Sequence, residues 1–527
     1  MLRISRPLAV PPFVLALWAA QFRDSGLEEL HARLELVTRP EMAVRIYLFK
    51  EGRPFRLSPV QALLPLRVDS FYRERIWYSG AAAETLEVSC RDASHFILLS
   101  GRGAFRLPAG RYRVEAYRGL FYVPATAEFE LKAGESRRVE LAMRNWAGDV
   151  ADQWLAGDDH IHITRAPGDD AVLLGWLEAE DLQVANFLQL QRQMDAAVQY
   201  AFGEQGEARR AGHVIRPGHE SRSEFYGHVN ILGPRRLIRP LSIGAMYANS
   251  PEAWPYPAVL FSQARKLGAT VGYAHLDGGM PHSTLLMDLA LGNIDFVEVF
   301  QFGVLKIAPW YELLNAGFRV TGIAGSDFPV GLNRVEEWPR LVPLLGPERT
   351  LVRARGGPPY QDWAAGVRRG EALVTNGPLV TIEPDRAAST VKASARYWRP
   401  LEKLEIVKNG EIVAAVAGDG RRTALEAAVR VDCSESCWVA ARARAVREAA
   451  EPELQGHTQA VWWLHEGREV NAGGAGERLA AQWAAEIDHY RSAGLRFPDE
   501  GKRREFFEAA ERALARLRQP VWSRHAD

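Results

Sequence analysis

Cysteine is scarce. Three residues in 527 cannot staple a chain of this size, and two of them, Cys433 and Cys437, lie so close together that a local disulfide or a plain pair of thiols are the open readings. No run of roughly eighteen or more uncharged apolar residues occurs, which argues against an integral membrane helix. An excess of one charge is lacking too. The 65 Lys and Arg residues are matched by 65 Asp and Glu residues with no extended block of either. The uncompensated basic surface that a phosphate backbone requires is therefore missing, and nucleic acid is not expected as the main partner. The chain also has no internal repeat, low-complexity tract, Gly-rich phosphate loop, nucleophile elbow or Rossmann fingerprint. Solenoid folds, nucleotide-driven chemistry and acyl-serine chemistry lose their support.

What the chain does have is apolar material: 47% of its residues are hydrophobic, with 15 Trp, 15 Tyr and 21 Phe. That is enough to bury large cores. At about 100–200 residues per domain, this length implies three or four units. Arg3 and Arg6 ahead of the apolar stretch 7–20 give residues 1–25 the look of an export leader, although its prolines and Trp18 fit poorly. Export and a cytoplasmic location both stay open, as does the oligomeric state.

Residues 26–146 read as a β-sandwich-like domain. AVRIYLF, GRYRVEAY and ATAEFELKAG alternate at the period of half-buried antiparallel strands, with Tyr112, Val114 and Ala116 on one face. Pro108–Gly110 and Ala133–Glu135 are the expected hairpin turns. Over 147–385 the short apolar strands LAGDDHIHI, LQVANFLQL, HVIRPGHE, GHVNILG, ATVGYAH, IDFVEVF and RVTGIAGSD alternate with helix-like stretches near 258–267, 283–292 and 310–316. This is the rhythm of parallel βα units, and it points to a distorted (β/α) barrel. Residues 386–470 return to alternation as a second β-sandwich, with Lys408-Asn409-Gly410 as a hairpin signal. Residues 471–527 carry two helical stripes, Leu479, Trp483, Ile487 and Tyr490, then Phe506, Ala510, Leu514 and Leu517. The fold class is α/β: a barrel flanked by two β-sandwich-like regions and followed by a helical tail.

The strongest chemical signal is Gly157-Asp-Asp-His160-Ile-His162. Side chains two apart on a strand point the same way, so two imidazoles can reach one cation. A histidine pair on a strand is common, and the motif needs partners. His219 and Glu220 end HVIRPGHE, His228 lies in Tyr226-Gly-His-Val-Asn230, His275 ends ATVGYAH and Asp327 ends RVTGIAGSD. In a (β/α) barrel, strand ends converge on one face, where catalytic groups collect. The blander readings are these. His219, on the opposite side of its strand from Glu220, is solvated or supporting. His213 is structural, and His282 is a polar loop residue or helix-start neighbour sooner than a functional one. His457, His465, His489 and His525 are surface or packing residues, and Asp158 either orients a ligand histidine or is solvated. Arg165, Arg222 and Arg334 lie near these segments in sequence and could bind a substrate anion as bidentate donors.

In their order and spacing, GDDHIH, AEDLQVANFL, GHVNILG, GNIDFVEVF, YELLNAGFRVTGIAGSD, VGLNR, RRGEALVTNGP and HTQAVWWLHEG resemble the PHP (polymerase and histidinol phosphatase) superfamily of metal-dependent hydrolases. The resemblance is closer to its CehA/McbA-type branch and spans most of the chain. It implies a distorted barrel with β-rich flanks, a divalent metal site and hydrolytic chemistry. It makes His160 and His162 the opening pair, Glu220 the bridging carboxylate with Glu224 as its substitute, His228 and His275 the later histidines and Asp327 the closing aspartate. Asn230 and Asn376 fall in matching segments, both as supports of loops around the pocket, with a plain turn role at least as fitting for Asn376.

Two departures matter. The superfamily's Thr-Asp-His after the second strand is Leu188-Gln-Leu-Gln191 here, and its closing Asp-x-His is Asp327-Phe-Pro329. Both lost histidines would serve a third metal, so a two-ion site is expected, with a single occupied site as the alternative. Zn2+, Mn2+ or Fe2+ suit such mixed ligands. Two such cations would acidify water for attack on an ester, amide or phosphoester bond of a small-molecule substrate, with Asp327 and Glu220 as the expected catalytic carboxylates. Two rival classes are a non-catalytic metal-binding PHP-like protein and a surface protein whose sandwiches hold carbohydrate on a barrel scaffold.

Overall fold

The computed structural model describes residues 31–57, 64–65, 76–82, 85–90, 94–191, 196–244, 252–276, 278–329, 343–432, 434–449 and 451–519. The leader-like segment, Arg334, Cys433 and His525 lie outside the described residues. The architecture is mixed α/β, with large sheets and few helices.

In the N-terminal region, strand His31–Arg39 lies between Arg102–Pro108 and Ser136–Ala142, and Ala43–Lys50 lies between Ser94–Ser100 and Gly110–Tyr117 in a second sheet. Leu34 and Leu36 from the first sheet share a core with Val44, Ile46 and Val114 from the second. Pro108–Gly110 and Ala133–Glu135 are not hairpins, a correction to the turn reading: each carries the chain from one sheet to the other. Turn chemistry fixes a local change of direction, but the burial of faces decides which strands pair.

Seven strands build the centre: β1 (Trp154–Ile161), β2 (Val184–Gln191), β3 (His213–Ser223), β4 (Gly227–Leu232), β5 (Thr270–Tyr273), β6 (Phe296–Gln301) and β7 (Thr321–Ala324). They hydrogen-bond in that order. The pairing is parallel except around β4, which runs antiparallel to β3 and β5. Only Glu224–Tyr226 separate β3 from β4, too few residues for a parallel crossover. The reading as parallel βα units throughout is corrected there. β1 and β7 approach at one isolated parallel bridge, Ile161 with Phe328. Among the described residues no regular ladder closes a barrel. On its other side β1 pairs antiparallel with Arg349–Arg353, which leads through Ala372–Thr375 into the C-terminal strands.

Helices α1 (Asp170–Ala179), α2 (Pro257–Lys266), α3 (Leu285–Ala290), α4 (Ile307–Asn315) and α5 (Pro359–Arg369) accompany the central strands. The close fit is visible at Gly157 on β1, where an added Cβ would come within 2.3 Å of the Trp363 indole nitrogen of α5. Strands Leu379–Asp385, Thr390–Arg396 and Ala424–Arg430 form a separate small sheet that shares a core with the extended one. Asn409 and Gly410 turn Leu401–Lys408 back into Glu411–Ala417 at φ of 49° and 94°. Two successive positive values suit Asn-Gly, and this hairpin matches the sequence reading.

Helices α6 (Ala475–Ser492) and α7 (Glu500–Arg518) form the tail. Asp499 accepts a hydrogen bond from the Lys502 amide at 2.9 Å and so caps α7. Both apolar stripes are buried, in the same core as Tyr226, Leu286 and Met287 of the central region. Trp483 is fully buried and donates its indole N–H to the Ala510 carbonyl at 3.0 Å. Trp483→Ala is therefore expected to destabilise the chain by about 3–5 kcal/mol, read as a lower urea midpoint, while leaving metal content per folded molecule unchanged.

Candidate metal centre

The ligand candidates are brought together by strand register. On β3, Glu220 and Arg222 share a face; opposite them on β4 stand Asn230 and His228. His160 and His162, at the end of β1, bring their Nε2 atoms to 3.1 Å from each other. His275 follows β5 and Asp327 follows β7. Two groups result whose donor atoms lie within 4.8 Å of one another: His160, His162 and Glu220, and Glu220, His228 and His275. Glu220 belongs to both. Its Oε2 is 3.1 Å from His162 Nε2 and 3.7 Å from His160 Nε2, and its Oε1 is 3.1 Å from His228 Nδ1. Asp327 Oδ1 stands 3.4 Å from both Nε2 atoms of the first group, and its Oδ2 lies 3.9 Å from His275 Nε2. Glu224, the substitute carboxylate, is in neither group.

The donor set fits a divalent cation. Glu220 Oε1 and Asp327 Oδ1 are buried and accept no hydrogen bond among the described residues, although ring nitrogens stand close to both. A buried acceptor in that condition is unfavourable unless a positive charge meets it. Imidazole with carboxylate suits Zn2+, Mn2+ or Fe2+. Asp327 and His275 adopt φ of 48° and 60°, in the left-handed region that residues with a Cβ rarely occupy. Such conformations cost on the order of 1–3 kcal/mol and gather where function demands them.

A second layer of contacts orients the rings. His162 Nδ1 donates to the Leu188 carbonyl at 3.0 Å, and His160 Nδ1 lies 3.1 Å from Glu298 Oε1. Each leaves Nε2 for a cation. Glu298 also accepts from the His275 backbone amide at 2.7 Å, and Gln301 Oε1 lies 2.6 Å from His275 Nδ1. Sequence reasoning missed Glu298, Gln301 and Asp159. The signal for Glu298 was a lone carboxylate inside the apolar run FVEVF; nothing comparable marked the other two. Asp158 neither orients an imidazole nor is solvated. It is buried and accepts from the backbone amides of His160, Ser326 and Gly346 at 2.9–3.0 Å, tying both ligand-bearing segments together.

The other expected residues are placed as follows. Arg222 Nε donates to Glu220 Oε2 at 2.7 Å, and Asn230 donates to Asp159 at 3.2 Å. Arg165 is buried, paired with Asp170, bonded to the Gly206 carbonyl and stacked near Tyr200; none of its hydrogen bonds reaches the cluster. Asn376 bonds to the backbone of Glu453 and Gln455, tying two segments distant in sequence together instead of closing a local turn. His213 bonds to the Leu182 carbonyl, His457 is buried beside Tyr311, and the partly exposed His282 stacks on His489. His219 corrects its solvated reading: it is fully buried, neither ring nitrogen has a hydrogen-bond partner among the described residues, and burial pushes its pKa down to about 3.

No family profile matches the chain, and no curated protein matches it. Among solved structures, PsfC from Pseudomonas syringae PB-5123 aligns over 41% of this chain and 94% of its own, at 18% identity and a TM-score of 0.27. Endonuclease Q in complex with a 27-mer duplex substrate carrying an abasic lesion aligns over 41% and 57%, at 12% identity and 0.26. The lesion-specific endonuclease PfuEndoQ from Pyrococcus furiosus aligns over 41% and 56%, at 14% identity and 0.25. TM-scores this low decide neither fold nor function.

Burial opposes charge on His160, but Asp327 and Glu298 outweigh it and hold its pKa well above the ordinary value. Burial pushes His228 the other way, down to about 4. A cation must displace the proton of His160 but meets none on His228 near neutrality. Asp327 and Glu220 also outweigh burial on His162 and raise its pKa, so cation uptake is expected to tighten as pH rises through the raised values of the histidine pair, with release of protons. The metal-free protein behaves oppositely: the stability contributed by charged His160 is present below its unfolded pKa and lost as pH rises through its folded one. Calorimetric titration with Zn2+ in two buffers of different ionisation enthalpy measures the proton release, and none at pH 7 would contradict this charge assignment.

Proposed function

We propose that the chain is a metal-dependent hydrolase of the PHP superfamily, of the CehA/McbA type, with two divalent ions that share Glu220. The single observation that carries this reading is the membership of Glu220 in both ligand groups. His160, His162 and Asp327 would hold one ion, and His228 and His275 the other. When bound, two such ions acidify water and polarise a substrate oxygen.

The chain's own residues set the conditions for that chemistry. Glu298 and the Leu188 carbonyl fix the rings of His160 and His162 so that Nε2 faces inward. Asp327, whose Oδ1 lies 3.4 Å from both Nε2 atoms of the histidine pair, would take the proton released by attacking water. Arg222 holds Glu220 through Nε, and its guanidinium would supply positive charge for an anionic substrate group. The substrate class is a small molecule with an ester, amide or phosphoester bond. The balance of 65 basic and 65 acidic residues counts against nucleic acid.

The test is a panel of such substrates, with lesion-bearing duplex DNA included, applied to protein stripped by a chelator and reloaded with Mn2+ or Zn2+. Activity is expected only after reloading. His160→Ala and Asp327→Ala should lower it more than about 100-fold and Glu298→Gln about 10–100-fold, the usual effect of removing a ligand's supporting partner. His465→Ala, at a partly exposed position far from the cluster in sequence, should be neutral. Full activity in both ligand variants would sink the assignment. Stoichiometric metal with no turnover across the panel would favour the non-catalytic alternative.

A further inference from the structure

A cavity of about 80 Å³ opens where the N-terminal sheets, the central region and the C-terminal strands meet. One buried water needs about 10–15 Å³ measured in this way, so the space exceeds single-water size several-fold. None of the metal-ligand candidates lines it.

Its walls specify a ligand chemistry. Two aromatic rings, Tyr122 and Trp398, stand at the partly exposed rim, each capped by a guanidinium: Arg118 at 5.3 Å and Arg399 at 4.7 Å from the ring centroids. A ring capped on one face has a single face left for stacking. Both guanidiniums are already committed. Arg118 donates to Asp181 and to the Ala43 carbonyl at 2.9 and 2.8 Å, and Arg399 makes a two-pronged pair with Glu451 at 2.5 and 3.0 Å. Of the two other wall guanidiniums, Arg45 lies on Glu180 and Arg349 donates to the Gly346 and Glu180 carbonyls at 2.7 and 2.8 Å, so all four already have partners and recognition of an anionic group is disfavoured.

Glu180 is the contrasting wall residue. It is 1% exposed and its Oε1 lies 3.2 Å from Arg45 Nε, yet neither carboxylate oxygen accepts a hydrogen bond among the described residues. Arg118 Nε is likewise buried without an acceptor. Buried acceptors and a donor left unmet beside an open space call for hydroxyl groups, which donate and accept at once. Aromatic faces call for an apolar ring surface. A pyranose supplies both, with C–H groups on its faces and hydroxyls around its edge.

We propose that this junction cavity binds a neutral polyhydroxylated ring of pyranose size, stacked on Trp398 and Tyr122 and donating hydroxyls to Glu180. The site is independent of the hydrolase reading and needs no metal.

Methyl β-D-glucopyranoside, methyl β-D-galactopyranoside and methyl α-D-mannopyranoside are the probes, with benzoate and inorganic phosphate as anionic competitors. They are titrated into the full chain by ligand-observed NMR, with and without chelator. At least one glycoside should saturate with a Kd on the order of 0.1–1 mM, unchanged by chelation. Trp398→Ala and Glu180→Gln should each weaken it about tenfold, whereas Trp254→Ala, outside the cavity, should not. Unaltered Zn2+ uptake by Trp398→Ala would separate this site from the metal centre. The proposal fails if no glycoside saturates at about 50 mM, if benzoate or phosphate binds in preference, or if Trp398→Ala binds undiminished.

Discussion

The structure turns on a concentration of negative charge in a place almost without solvent. Glu220, Asp327 and Glu298 are 0–2% exposed and converge on the rings of His160, His162, His228 and His275. Carboxylates in such surroundings are unfavourable unless each meets a positive charge or a donor. One guanidinium, that of Arg222, lies on Glu220, and two imidazoles, His160 and His162, are drawn toward their charged forms by the acids. Burial raises the pKa of Glu220, but Arg222 and the three ring contacts outweigh it, so the carboxylate stays ionised. A cluster that keeps its acids charged while leaving carboxylate oxygens without donors is complementary to cations. Neutral hydrogen bonding would not satisfy it.

The fold serves that cluster by bringing chain ends together. The candidates come from β1, β3 and β4 and from the segments after β5 and β7, so the ladder must curve until its first and last strands approach each other. The Ile161–Phe328 bridge marks where they do. His162 N–H donates to the Phe328 carbonyl at 2.7 Å, and Phe328 N–H to the His160 carbonyl at 3.2 Å. The Asp158 carboxylate reinforces the junction by holding the amides of His160 and Ser326. The irregular pairing of β1 between Asp158 and Ile161 lies in this same stretch. Placement of Asp327 beside the histidine pair follows from these contacts, because its neighbours Ser326 and Phe328 are both tied to the β1 end.

Much of the site was legible because strand periodicity is a local property. His160 and His162 share a side for that reason alone, and the apolar runs that precede His275 and Asp327 mark real strands. What was hidden depends on pairing. Glu220 was read at a strand end, but β3 continues to Ser223 and places it inside an antiparallel pair opposite Asn230. The N-terminal turns were misread for the same reason, since turn residues do not say which sheet receives the next strand. His219 followed the alternation rule and still defied its expectation. Its face of β3 is covered, so pointing away from Glu220 did not mean pointing into water. Alternation reports which residues share a side, and only tertiary packing decides what lies there.

The stretches around Leu188 and after Asp327 have tasks other than supplying ligands. Leu188 and Leu190 are fully buried, and the Leu188 carbonyl is the acceptor that orients His162. Phe328 is 3% exposed, its ring packs edge-on against Trp176 at 6.1 Å between centroids, and its backbone forms the bridge to β1. Both stretches where the resemblance leads one to look for further histidines are thus committed to apolar packing and to the backbone contacts that hold the first histidine pair in place. The backbone of each stretch thereby supports the neighbouring histidine pair, through the Leu188 carbonyl on one side and the Phe328 bridge on the other.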